Sequence, residues 1–144
     1  MAKFQFRLDS LLKLKEELKR QSEMELASVR FKRMKSEEDL KLTIQTKNDV
    51  WSKSNSQNNR QVFQYQADYL YIKALEKEID VKIRKIQRIK KIEDQILQEI
   101  LKLDKSKKTI EKLKERRKEE YVKEMNRKEQ IFLDDISQKV KSLL

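Results

Sequence analysis

The chain has 144 residues and contains no glycine, no proline, no cysteine and no histidine. Glycine and proline make up about 7% and 5% of average protein sequence, and they form tight turns, bulges and helix ends. Their absence favours long helices over sandwiches, barrels and doubly wound sheets, which need frequent turns. Without cysteine and histidine, disulfides, the common zinc sites and the Ser-His-Asp and Cys-His catalytic sites are excluded.

The sequence also lacks a glycine-rich phosphate-binding loop and any apolar run of the roughly 18 residues that cross a bilayer. The first fourteen residues do not contain the uninterrupted apolar stretch of a signal peptide. We therefore predict a cytoplasmic protein that is not an enzyme. We also predict no cofactor and no catalytic, cofactor-binding or metal-binding residues.

Charged residues make up 42% of the chain and apolar residues 37%. This balance is too polar for a thick core and too apolar for disorder, and it is typical of a narrow apolar seam between two helices with charged flanks. Two long amphipathic stretches, at about 9–51 and 61–140, surround a polar block rich in serine and asparagine at about 52–60. We predict one all-α domain over residues 1–144, a two-helix antiparallel coiled-coil hairpin whose second helix is longer.

Each predicted helix has its own apolar pattern, and helix 2 has the more regular one. In helix 2, alternating steps of three and four from residue 72 to residue 110 meet nine apolar residues in twelve positions, which predicts a sustained heptad seam. Helix 1 shows three separate registers, formed by Leu11, Leu14 and Leu18, then by Met24, Ala27, Phe31 and Met34, then by Leu40, Ile44 and Trp51. Asp9 or Ser10 is the predicted N-cap of helix 1, and Asn58 or Asn59 that of helix 2.

A turn centred near Ser56 would place Asp9 opposite Leu103 and leave about 35 residues of helix 2 without a partner helix. This overhang carries a further apolar stripe, formed by Val122, Met125, Phe132, Ile136, Val140 and Leu143. An exposed apolar stripe needs a cover. The sequence leaves three covers open: the N-terminal Phe4, Phe6 and Leu8, a second copy of the chain, or a separate protein.

The net charge is +11, and the segment from Val81 to Ile92 contains six bases and no acid. A basic helix face attracts an acidic protein, an anionic membrane or a nucleic acid, or it keeps a thin coiled coil soluble. Nucleic-acid binding usually adds aromatic residues beside the bases, and here the aromatics lie at 63–71, away from the basic segment. We favour an acidic protein partner. A nucleic-acid-binding coiled coil and a homodimeric structural rod are the alternatives.

Three segments resemble the flagellar export protein FliJ family. They are FQFRLDSLLKL at Phe4–Leu14, YLYIKALEKEI at Tyr69–Ile79 and RKEQIFLDDI at Arg127–Ile136. The resemblance implies a non-enzymatic stalk or adaptor of the flagellar type III export apparatus, similar to the coiled coil of the rotary ATPase gamma subunit. The implied partners are the hexameric export ATPase FliI, the cytoplasmic domain of the export gate protein FlhA, and substrate chaperones. Binding would promote or couple ATP hydrolysis, with the protein associated peripherally with the inner-membrane apparatus.

The resemblance also implies two groups of binding residues. Tyr71 and Leu75 match the positions of helix 2 that bind the export gate. On helix 1 this chain departs from the family, because Thr43, Thr46 and Val50 replace large apolar or tyrosine residues. The end implied to face the ATPase comprises Phe4, Phe6, Leu8, Leu11, Phe132, Leu133 and Asp134.

Overall fold

The computed structural model of the chain describes residues 3–56 and 60–144, and it contains two α-helices. Helix α1 spans Asp9–Ser56 and helix α2 spans Val62–Leu143. No glycine or proline interrupts either helix, so α1 extends over 48 residues and α2 over 82. The predicted all-α antiparallel hairpin with a longer second helix is confirmed.

Helix α1 ends at Ser56 and not near residue 51, so five residues expected in the turn are helical. Serine tolerates a last helical turn when its hydroxyl bonds back to the backbone. The Ser56 hydroxyl does so, since it donates to the Lys53 carbonyl over 3.3 Å. This bond helps α1 to extend to Ser56.

Helix α2 begins at Val62 with Gln61 in the capping position. The Gln61 carbonyl accepts the backbone N–H of Gln64 at 3.0 Å, and the Gln64 side-chain carbonyl accepts the N–H of Gln61 at 3.2 Å. This return bond is one half of a capping box. The predicted caps Asn58 and Asn59 lie outside the described residues.

The chain divides into two compact units, Gln21–Ile100 and Met1–Arg20 with Leu101–Leu144. In the 21–100 unit, Arg30 pairs with Glu93 at 3.1 Å and Lys47 pairs with Glu76 at 3.3 Å. A step of seventeen residues forward on α1 thus matches seventeen residues back on α2, which defines an antiparallel pair. The predicted seam positions of α2 in this unit are all buried or half-buried.

The face that α1 presents to α2 differs from the prediction. Its buried positions in the 21–100 unit are Ser22, Leu26 and Thr43. Between them, half-buried residues continue the heptad at Val29, Arg33, Ser36, Leu40, Lys47 and Val50. Met24, Phe31, Met34, Ile44 and Trp51, which the apolar pattern assigned to the seam, are exposed. The three-register interpretation of α1 is therefore wrong, because α1 fills much of its seam with polar residues that side chains of α2 bind.

Lys82 illustrates how such polar seam positions are satisfied. Its ammonium group lies 3.0 Å from Glu78 and 3.1 Å from Asp39, and it donates to the Thr43 hydroxyl at 2.6 Å. The hydrogen bond to Glu78, together with that to Asp39, raises the pKa of Lys82 against the opposing effect of partial desolvation. Lys82 and Thr43 thus stabilise each other inside the seam, where the apolar pattern of α1 alone would not have placed Thr43.

In the other unit, Asp9 pairs with Lys114 at 2.8 Å and Lys19 pairs with Asp104 at 2.9 Å. Asp9 therefore lies opposite Lys114, and the predicted neighbour Leu103 is wrong by eleven residues. Asp9 and Lys114 are equally distant from a point between residues 61 and 62, which lies five to six residues after the assumed centre at Ser56, and this difference doubles to eleven across the hairpin. The unpaired part of α2 is correspondingly shorter than predicted.

Candidate functional site

The C-terminal part of α2 is the most exposed part of the molecule. Every residue from 126 to 144 is exposed. The exposed large apolar side chains there are Ile131, Phe132, Leu133, Ile136, Val140, Leu143 and Leu144. Those at 132, 136, 140 and 143 follow helical spacing and lie on one side of the helix. We call this row the α2 stripe, and it extends N-terminally through the half-buried Met125.

The N-terminal segment Phe4–Leu8 lies against α2 just before the stripe. The ring of Phe4 packs on the ring of Tyr121, with centroids 5.5 Å apart and planes tilted by 47°. Phe6 and Leu8 line a groove of about 810 Å³ together with Leu113 and Tyr121. Tilted aromatic pairs at this separation are favourable, so the segment covers the part of α2 that precedes the stripe.

A second groove continues from this segment towards the C-terminus. Phe4, Tyr121, Met125 and Phe132 line it. The structure therefore brings Phe4, Phe6 and Leu8 onto α2, with Phe132 at the far end of the same apolar surface. Of the three covers left open by the sequence, the N-terminal residues cover the beginning of the surface and leave the α2 stripe exposed.

The other residues implied to face the ATPase lie outside these grooves. Leu11 is partly exposed on α1, and Leu133 is exposed beside Phe132. The Asp134 carboxylate accepts a hydrogen bond from the Gln130 amide at 3.1 Å. Leu133 and Asp134 thus flank the α2 stripe and do not form part of the covered surface.

The two residues implied to bind the export gate have different environments. Tyr71 is 48% exposed, whereas Leu75 is 6% exposed and lies in the seam. On α1, Thr43 is bound to Lys82 and the Thr46 hydroxyl donates to the Leu42 carbonyl at 2.9 Å. The Tyr71 ring is therefore accessible, whereas Leu75 is not.

An aromatic groove near the start of α2 was not assigned from the sequence. Val62, Tyr65, Tyr69 and Leu70 line it, and Lys73 lies over the Tyr69 ring at 5.4 Å. The clustering of aromatics at 63–71 was the available signal. This clustering alone does not show which aromatic side chains are exposed and which lie in the seam, because no heptad pattern continues through the segment.

The basic segment of α2 carries charge without local compensation. Within the described residues, no acid pairs with its five exposed bases, Arg84, Lys85, Arg88, Lys90 and Lys91. Of the nearby acids, Glu78 binds Lys82 and Glu93 binds arginines of α1, whereas the exposed Asp80 and Asp94 form no ion pair within the described residues. The outer surface of α2 here is therefore strongly positive and attracts negatively charged surfaces.

The described residues contain no group of three or more acidic side chains placed to hold a metal ion. Neither helix includes, in its described residues, an apolar stretch that would span a bilayer. The candidate site is thus a set of contact surfaces: the α2 stripe with its N-terminal cover, the exposed Tyr71, and the basic segment.

Comparison with known proteins assigns the chain to a family. The family described as Flagellar FliJ protein matches residues 4–141, nearly the whole chain. No curated protein matches the chain, and no solved structure does. The family comprises structural or adaptor proteins of the flagellar export apparatus and not enzymes. The chain therefore belongs to the FliJ family of flagellar export proteins.

Proposed function

We propose that the chain is a non-enzymatic stalk or adaptor that binds the hexameric export ATPase FliI through the α2 stripe and its N-terminal cover. The observation that carries the proposal is the uncovered stripe, since every residue from 126 to 144 is exposed. An amphipathic helix whose apolar side has no partner in its own chain is suited to dock in a groove or ring opening of another protein.

The magnitude of the apolar contact supports this role. Full burial of one large apolar side chain contributes about 1.5–3 kcal/mol. Phe132, Ile136 and Val140 are 63%, 43% and 51% exposed, so covering them would together contribute about 2–5 kcal/mol before the cost of association. With further contacts from the N-terminal cover, a contribution of this size fits a reversible complex, which suits a protein that promotes or couples ATP hydrolysis.

The experiment measures binding of the full-length chain to the FliI hexamer by pull-down and the ATP turnover of that hexamer. We expect the double variant Phe132→Ala with Leu133→Ala to weaken binding about tenfold or more and to remove stimulation of turnover. Alanine preserves the helix, because its helix propensity is the highest. Leu101→Ala is the matched control, since Leu101 is an exposed apolar residue of α2 outside the stripe. Failure of the unaltered chain to bind or stimulate the ATPase would refute the proposal.

The proposed contact with the export gate protein FlhA depends on Tyr71. Tyr71 is 48% exposed and lies one helical turn before the buried Leu75, so a partner can contact the ring without opening the seam. We expect Tyr71→Ala to weaken binding of the FlhA cytoplasmic domain in a titration, whereas Tyr69→Ala does not. Tyr69 is a suitable control because it is also an exposed tyrosine, two residues away and on another side of the helix. Equal effects of the two variants would argue against a specific Tyr71 contact.

The positive charge of α2 supports an acidic protein partner, such as the gate domain or a substrate chaperone that the adaptor delivers. Chaperone delivery would place the protein in the cytoplasm, associated with the inner-membrane apparatus through protein contacts. We expect binding to these partners to weaken as salt rises. Strong DNA or RNA binding at low salt in a filter assay would instead favour the nucleic-acid alternative.

A further inference from the structure

A straight row of bases follows the outer side of α2 in the unit formed by residues 1–20 and 101–144. Steps of three and four residues from position 102 to position 116 align five residues on one side of the helix. All five are exposed, and they are Lys102, Lys105, Thr109, Lys112 and Arg116. We call them the outer basic row, which shares no residue with the basic segment.

The outer basic row faces away from α1. The half-buried Leu103, Ile110 and Lys114 mark the side of α2 that packs against α1. At 3.6 residues per turn, the mean direction of the row lies about 140° around the helix from that side. The side chains of the row therefore point towards solvent.

The charge of the row is not neutralised by neighbouring acids. Four of its five members are bases, and none of these forms an ion pair within the part of the chain that the structure describes. Of the acids between 101 and 118, Asp104 binds two lysines and Glu111 lies 3.8 Å from Lys107. The exposed Glu115 lies about 100° around the helix from the mean direction of the row. The row is thus a line of positive charge about 21 Å long that contains no acid.

The C-terminal half of the row forms a groove. Thr109, Lys112 and Arg116 line it together with Leu113, and its volume is about 430 Å³. The Thr109 hydroxyl already donates to the Lys105 carbonyl at 2.9 Å, so Lys112 and Arg116 supply the donors. An ammonium and a guanidinium group one helical turn apart are suited to bind phosphate oxygens.

A membrane surface suits the row better than a protein partner does. Protein interfaces are built around an apolar core that is depleted of lysine, and the row itself contains no apolar side chain. Leu101 is 61% exposed and lies one helical turn before Lys105. An apolar side chain beside a row of bases is typical of helices that lie on a bilayer surface.

A nucleic acid is also less suitable than a membrane. The row has no aromatic ring on which bases could stack. The phosphates of a duplex wind around its axis, so a straight row meets only some of them. A planar layer of lipid phosphates can contact every base of the row at once.

We propose that the outer basic row binds an anionic phospholipid surface directly, with Lys112 and Arg116 donating to lipid phosphates. Clusters of roughly four to eight bases on a helix attract anionic lipids, and each base near the surface raises the affinity about fivefold. The proposal goes beyond the protein contacts of the export apparatus, and the row contains none of the residues proposed for those contacts.

The test is co-sedimentation of the full-length chain with lipid vesicles at about 0.1 M salt, where the Debye length is about 10 Å. One set of vesicles contains phosphatidylcholine alone, and the other contains equal parts of phosphatidylcholine and phosphatidylglycerol. We expect binding only to the anionic vesicles, with an affinity that falls as salt rises. Absence of binding, or equal binding to both sets, would overturn the proposal.

The double variant Lys112→Gln with Arg116→Gln should weaken binding to the anionic vesicles about tenfold or more. Glutamine preserves the helix, because its helix propensity is close to that of lysine and arginine. Lys118→Gln with Lys128→Gln is the matched control, since it removes the same charge from two exposed bases of α2 outside the row. Unchanged helix content in far-UV circular dichroism verifies folding of both variants. Equal weakening by the two variants would overturn the assignment to the row.

Two competitors distinguish the lipid surface from other sources of phosphate. Inorganic phosphate, compared with chloride at the same ionic strength, should leave vesicle binding unchanged, because it offers single phosphates and not a planar layer. Duplex DNA should bind more weakly than the anionic vesicles. Displacement by inorganic phosphate would assign the groove to a free anion, and tight DNA binding that the Lys112 and Arg116 double variant abolishes would assign the row to nucleic acid. Either result would overturn the proposal.

Discussion

Replacing Glu93 with glutamine removes a negative charge that joins the two helices of the 21–100 unit. Glu93 is a seam residue of α2 and is 9% exposed. One carboxylate oxygen accepts a hydrogen bond from Arg30 Nε at 3.1 Å. The other lies 2.9 Å from Arg33 Nε, in an ion pair. Glutamine keeps the shape of the side chain, so the variant isolates the effect of the charge.

The structure sets the expected magnitude. A hydrogen bond to a charged group contributes about 1.5–3 kcal/mol, whereas exposed ion pairs contribute about 0–1 kcal/mol. The side chain of Arg30 is 49% exposed and that of Arg33 29%, so the pairs lie between these limits. We expect Glu93→Gln to lower the free energy of unfolding by about 2 kcal/mol. For a chain of this length that corresponds to a fall in Tm of about 6 °C.

The variant Glu93→Leu tests whether the two arginines need an acceptor at this seam position. Leucine offers the arginines no acceptor, and Arg33 Nε is a buried atom that Glu93 faces at 2.9 Å. Removal of one member of a buried ion pair is destabilising, although apolar replacement of both members is often neutral or stabilising. We expect the leucine variant to be about 1 kcal/mol less stable than the glutamine variant, whose amide oxygen still accepts from an arginine.

The assay is urea unfolding at pH 7 and 25 °C, followed by circular dichroism at 222 nm. Glu99→Gln is the control, because Glu99 is an exposed acid of α2 six residues away. It should change the free energy of unfolding by less than about 0.5 kcal/mol. A similarly small effect of Glu93→Gln would refute the reasoning, as would a leucine variant more stable than the glutamine variant.

Two further predictions concern the N-terminal segment and acid pH. Phe4→Ala removes the ring contact with Tyr121 and should loosen the N-terminal segment. The amide of Leu12, which donates to the Leu8 carbonyl, should then exchange faster with deuterium in hydrogen-exchange mass spectrometry. Unchanged exchange would contradict a stabilising role of the segment. Lys19, followed by Lys108, holds the pKa of Asp104 below its ordinary value through hydrogen bonds. The resulting stabilisation is present above the unfolded pKa and is lost as pH falls through the lowered one. Asp104→Asn should therefore flatten the decline of Tm below about pH 4, and an unchanged decline would exclude this cause.

The seam of α2 could be predicted because the apolar pattern of this helix is regular. Isoleucine and leucine recur at heptad spacing, and Lys82, Glu93 and Lys107 fall at the interruptions. All of these positions are buried or half-buried in the structure. The pattern is sufficient there, since burial of apolar side chains dominates the energetics of a two-helix seam.

The seam of α1 could not be predicted in the same way. Thr43 and Lys47 occupy seam positions because Lys82 and Glu76 of α2 bind them. Such partners are identifiable only once the register between the helices is known. That register depends on where the chain turns, and Ser56 remained helical although serine is typical of turns. Without the register, Met24 and Phe31 appeared to belong to the seam that they in fact face away from.

Some features of the candidate site were likewise predictable from the sequence, and others depended on the tertiary structure. The sequence by itself determined an all-helical hairpin, a basic α2 and a resemblance to the FliJ family, because composition, heptad spacing and short motifs are properties of the sequence alone. The tertiary structure decided which apolar side chains remain exposed: Tyr71 is available and Leu75 is not, and Phe4 covers Tyr121 while the α2 stripe stays uncovered. Exposure depends on which face of each helix the other helix covers, and that is a property of the assembled pair and not of either helix alone.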